Sequence, residues 1–212
     1  MVTTILTILT AGLLIFSGPA TSHSQPLSQV KYSLSNRYAD TFVNDVFSDN
    51  ILLTLAYMGG KVKTGNNISW DEVKKTDSTT LLLHPGQTFA FHDNVSEKYK
   101  GKIALTTNAH FSSDDGFKSD GWLVGDGVCH LASFMYVAAL AAGLETEAPT
   151  PHDFAAIEDV PRQYGVSIFY SPNDPSGSAL QNLYITNNKT KTIAFVFTYE
   201  ENSLNIQVKE LN

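Results

Sequence analysis

A chain of 212 residues with 42% apolar and 11% aromatic side chains can bury a sizeable core, which excludes disorder over most of its length. Its formal charge of −7, with only 14 Lys and Arg scattered along it, leaves no basic stripe and excludes nucleic acid as a partner. A single cysteine excludes an internal disulfide, so the fold rests on its core alone.

The run from Val2 to Phe16 is uncharged and apolar, and Ser17-Gly18-Pro19 and Ala20-Thr21-Ser22 follow it. That is the pattern of a secretory h-region with a small-residue cleavage site, although the usual preceding basic residues are missing. Residues 1–22 are therefore expected to be a signal peptide or N-terminal anchor, and the chain's only route to a membrane. Residues 23–35, polar and containing Pro26, read as a linker.

Residues 36–79 read as a helical preface. Val43, Val46, Phe47, Ile51, Leu55 and Met58 recur at spacings of three and four, as on one face of a helix or of two helices broken near Ser48-Asp49-Asn50. Gly59-Gly60 supplies the left-handed stop. Ser69 and Glu72 are spaced as a capping box, which predicts a short helix through Lys75.

From residue 80 the character changes. Thr80-Leu81-Leu82-Leu83 and Thr88-Phe89-Ala90-Phe91 flank His84-Pro85-Gly86-Gln87, a hairpin or tight corner, and Ile103 to Thr107 is another strand. Ser112 to Gly121 is an acidic loop. Cys129 to Ala142 is apolar or small on every side, as in a helix at the middle of a domain. Leu183 and Ile185, then Ile193 to Phe197, then Leu204 to Val208 alternate as a three-stranded antiparallel meander. The expected class is α+β, with a central buried helix packed on an antiparallel sheet behind an N-terminal helical preface.

The chemistry concentrates in Gly125-Asp126-Gly127-Val128-Cys129-His130-Leu131-Ala132-Ser133. A glycine loop entering a helix near Val128 puts Cys129 in the first helical turn, where free N–H groups and the macrodipole favour a thiolate. His130 points about 100 degrees away from its neighbour and is a poor base. His152, in Pro151-His152-Asp153, is the preferred base, with Asp153 or Asp126 as its orienting acid, and His110 is the second candidate. Trp122 is placed to wall a cleft. The bland alternative gives Cys129 the role of a small buried hydrophobe and Asp126 that of a helix cap. Cys129, His130, His152 and His110 lack the paired spacing of a zinc site, so no metal or other cofactor is expected.

Three ordered motifs resemble the VanW family of bacterial envelope proteins: Leu82 to Phe91 with its Pro85-Gly86 turn, the Gly125 to Ser133 loop and helix with Ala142-Gly143-Leu144, and Pro151-His152-Asp153, whose histidine follows the cysteine by 23 residues. The Leu180 to Lys209 strands, with Asn187-Asn188 at a turn, resemble the family's closing segment, so the likeness covers residues 80–212. The family often has glutamine where this chain has His130, serine where it has Asp153, and an acid near Gly165. The resemblance implies an extracytoplasmic location, secreted or anchored, and an association with peptidoglycan. It also implies that Cys129 and His152, both motif positions, form one site; Gly125, Asp126, Gly127, His130, His110 and Trp122 are the residues expected to bind around it. Two functions follow as expectations: recognition of peptidoglycan or its stem peptide, or a cysteine-dependent hydrolase or transferase acting on a cell-wall amide bond through Cys129, His152 and Asp153.

Overall fold

The computed structural model describes residues 25–212, so the apolar segment and the expected processing site at residues 1–22 lie outside the described residues. Among the described residues no helix is long and apolar enough to cross a membrane.

The elements follow from the patterning. β1 (Ser28–Ser33) leads to α1 (Thr41–Met58), which Asp40 caps by accepting from the Val43 N–H. Helix α1 is unbroken at Ser48-Asp49-Asn50, and Gly60, at φ 71°, provides the left-handed exit. α2 is the single turn Trp70–Val73, and the Ser69 side chain does not cap it, contrary to the capping-box expectation. β2 (Asp77–Leu83), β3 (Thr88–Ala90) and β4 (Ile103–Leu105) precede α3 (Val128–Ala141). β5 (Glu145–Glu147), α4 (Pro175–Leu180), β6 (Tyr184–Thr186), β7 (Ile193–Glu200) and β8 (Ser203–Glu210) complete the chain.

The strands form two sheets, ordered β1-β8-β7-β2 and β4-β3-β6-β5. The first is antiparallel throughout, and the second is mixed because β3 and β4 run parallel. The class is α+β, as expected. The meander is corrected: only β7 and β8 form a hairpin, turning through Glu201 and Asn202 at positive φ, while β6 belongs to the other sheet. The Pro85-Gly86 turn is a corner that passes the chain from the first sheet to the second.

Helix α3 packs against β1 and β8 of one sheet, β5 of the other, and α1. Val128, Leu131, Phe134, Met135 and Ala138 form its most deeply buried face, while Cys129, Tyr136 and Leu140 lie on a face that is part-buried to exposed. Each large apolar side chain so removed from water contributes about 1.5–3 kcal/mol. Phe134 stacks on Tyr32 with centroids 3.8 Å apart.

That contact corrects the linker. Residues 28–33 are an edge strand paired with β8, because Val30, Tyr32 and Leu34 alternate and the latter two fill the core. Nor are residues 36–79 a separate preface: Ile51, Leu53 and Tyr57 of α1 lie in one apolar cluster with Leu131 and Phe134 of α3. β2 begins at Asp77, ahead of the expected boundary at residue 80.

Candidate functional site

The N-terminal mouth of α3 is built by the glycine loop lying against α1. Gly127, at φ 95°, is the residue preceding the helix, and a Cβ there would sit 2.3 Å from the Phe47 carbonyl oxygen. Only glycine permits both the left-handed backbone and that approach. Asn50, fully buried on α1, ties the loops together. Its Nδ2 donates to the carbonyls of Asp126 (2.9 Å) and Lys118 (3.0 Å), and its Oδ1 accepts from the Lys118 N–H at 2.8 Å. Beside it Asp49 pairs with Lys118 and Lys74. The two polar residues that look like a helix break are therefore the anchors of the acidic loop.

Cys129 lies in the first turn of α3, as expected, but its thiol is committed elsewhere. Sγ accepts from the Ile168 N–H at 3.4 Å and donates to the Ile168 carbonyl at 3.6 Å. The residue as a whole is only part-buried, yet desolvation of the sulfur pushes the thiol up to about 11, with the negative charge of Asp126 adding to the shift and the Ile168 N–H opposing it. The helix N-terminus does not overcome that burial.

His152 is buried, and its Nδ1 hydrogen-bonds the Ala155 carbonyl at 3.1 Å. Burial holds it below the usual histidine range. Asp153 is exposed and does not orient it; its backbone carbonyl accepts from the Arg162 guanidinium. No hydrogen bond joins Cys129 to His152 among the described residues. His152 instead meets His130, with centroids 6.4 Å apart, and Phe154 at 4.1 Å.

His130 is buried among Phe47, Phe134 and His152, and its Nδ1 has no partner. Burial, then the charge of Arg37, push it down to about 3, so it is a neutral imidazole at physiological pH. Arg37 is itself sealed in the core, held by Asp159 at 2.8 Å and the Glu158 carbonyl at 3.0 Å. His110 is exposed, stacked on Tyr170 at 4.1 Å and within 3.3 Å of Asp93, and among the described residues no hydrogen bond joins it to Cys129 or His152.

Asp126 does not cap α3, since no side chain accepts from its first turn. Its Oδ2 is buried without a partner, and burial, then the neighbouring Asp120, raise its carboxyl to about 6. Asp120 is held low by the N–H groups of Trp122 and Leu123, which it accepts at 2.8 and 3.1 Å. These bonds fix the backbone beneath Trp122, whose side chain is 91% exposed, beside Leu123 at 62%.

The sequence signals for Asn50, Ser133 and Ile168 were weak or absent. Ser133 Oγ donates to the Cys129 carbonyl and accepts from the Val166 N–H, which carries the segment bearing Ile168 to the thiol. Among the described residues no three His, Cys, Asp or Glu side chains converge as a metal-binding group.

A family model described as VanW like protein matches residues 66–209, more than half of the chain and beginning ahead of β2. No match was found among curated proteins or among solved structures.

Proposed function

The chain belongs to the VanW family, and from that premise we propose that it is an extracytoplasmic cell-envelope protein that recognises peptidoglycan, its stem peptide included, at the mouth of α3. The observation that carries the reading is Trp122, 91% exposed on a loop whose backbone Asp120 locks in place. An indole held out in water on a fixed support gives up burial, which points to a contact surface. Its flat apolar face suits the C–H face of a sugar ring. Phe154, 75% exposed, extends aromatic surface from the buried His152 and His130. The envelope setting is supported by the family resemblance and by the apolar run at residues 2–16.

Binding is tested by titrating soluble muropeptides into the full-length protein. The Trp122→Ala variant is expected to bind about tenfold more weakly, as loss of an aromatic anchor does, with its unfolding midpoint unchanged. Equal affinity of the variant and the parent would remove Trp122 from the reading, and no binding by either would remove peptidoglycan.

The geometry speaks against the second reading, an amide hydrolase or acyl transferase using the Cys129 thiol. A thiol nucleophile needs a lowered pKa and a base within reach, and here the thiol is raised and its hydrogen-bond partner is the backbone. Iodoacetamide labelling of Cys129 in the native protein is expected to be slow at neutral pH and to rise only toward about 11. An apparent pKa below about 8.5, the value of an ordinary free thiol, would bring the nucleophile back.

A further inference from the structure

Among the described residues, the two four-stranded sheets end in four open edges: β1, β2, β4 and β5. Exposed edges invite pairing with another chain, and proteins commonly blunt them with charge, proline or a covering segment. Two of the four are blunted here. β1 carries Lys31, and β5 carries Glu145 and Glu147, the latter bound by Lys98 and Tyr99. β2 and β4 are not. β2 reads Asp-Ser-Thr-Thr-Leu-Leu-Leu, with its one charge at the far end paired to Lys61, and β4 is Ile-Ala-Leu.

These two unguarded edges flank the same groove, of about 410 Å³, lined among others by Met58, Thr80, Leu82, His84, Leu105 and Thr106. Among the described residues, no Asp, Glu, Lys or Arg lines it. Leu82 and Leu105 are 41% and 37% exposed there, large apolar side chains that none of the described residues covers further. Among the described residues, the backbone of β2 bonds to β7 on one side only, and that of β4 to β3. Outward-facing N–H and C=O groups therefore recur along β2 at the two-residue strand repeat, roughly 7 Å.

We propose that this groove binds an uncharged, extended peptide segment of a partner polypeptide, added as a strand to β2 and covered on its other flank by β4. A backbone in extended conformation supplies donors and acceptors at that repeat, which a glycan or an acyl chain does not. Alternate side chains of the guest then meet Leu82, Leu105 and Met58, and the absence of charge in the lining selects against a charged guest. The site is separate from the mouth of α3 and does not depend on what binds there.

The test uses the full-length protein and a fluorescein-labelled acetyl-Thr-Val-Thr-Leu-Thr-Val-Thr-amide, followed by fluorescence anisotropy. Saturable binding with a dissociation constant on the order of 100 µM is expected. N-methylation of alternate amides removes donors without removing side chains, and is expected to weaken binding at least tenfold, as are Leu82→Lys and Leu105→Lys. Both leucines are exposed, so the variants should keep the parent's circular dichroism and unfolding midpoint. Equal binding of the N-methylated peptide, or no binding up to about 1 mM, overturns the proposal. So does a dimer that Leu82→Lys dissociates, which would make a second copy the guest. Amide protection of residues 78–83 without peptide, lost on removal of residues 1–24, would give the groove to the chain's own N-terminus.

Discussion

The Gly127→Ala variant is expected to lose about 2–6 kcal/mol of stability, or to fail to fold. Two costs combine. A side chain at φ 95° strains the backbone by about 1–3 kcal/mol. The new methyl also falls 2.3 Å from the Phe47 carbonyl oxygen, which is fixed within α1 and cannot step aside, so overpacking adds about 1–3 kcal/mol. Total stabilities run about 5–15 kcal/mol, so the variant forfeits a large share. Gly121→Ala is the control, since Gly121 has φ 105° but nothing within 4 Å of a Cβ. Urea unfolding should show Gly121→Ala losing only the conformational part. Should both variants lose the same amount, the close contact between the glycine loop and α1 is not there.

For Asn50→Ala the expected loss is about 2–4 kcal/mol, accompanied by faster tryptic cleavage after Lys118. The substitution orphans the Lys118 N–H, the Lys118 carbonyl and the Asp126 carbonyl together, and a buried polar group left unpaired costs about 1–3 kcal/mol, less where water reaches it. Asn50→Asp separates hydrogen bonding from shape. It keeps the acceptor but loses both donors, and it turns a carboxylate toward two carbonyl oxygens, so it should be no better than alanine. Unchanged midpoint and cleavage rate in Asn50→Ala would mean that the loop from Lys118 to Asp126 is held by something other than α1.

Much of this was legible in the residues. The all-round apolar run from Val128 marked the central helix, and the Gly-Asp-Gly before it marked its entry, because left-handed backbone and apolar surface both leave side-chain signatures. β1 was less visible. Val30, Tyr32 and Leu34 alternate, but they lie among serines and a proline that look like linker. Asp49 and Asn50 read as a break in a helix because polarity within an apolar run has two explanations, an interruption or a buried partner, and only the partner's position decides between them.

That the thiol bonds elsewhere than to His152 escapes the sequence for a related reason. The thiol's partner is the backbone of Ile168, 39 residues away, and a peptide group carries no mark of its role in the sequence. Likewise, the division of strands between two sheets depends on the turn at Pro85-Gly86 leading round a corner, which its residues permit as readily as a hairpin.

The pairing of β1 with β8 places Ser28 opposite Val208, nearly the whole described chain apart. On the ribosome, the first sheet cannot close until β8, the last of its four strands, has been synthesised, and the loop entropy of that late union slows it further. Until then Tyr32 has no finished core to enter, and the nascent polypeptide stays unlocked. Closure of the first sheet is thus a late event, decided by the arrival of β8 rather than of β1.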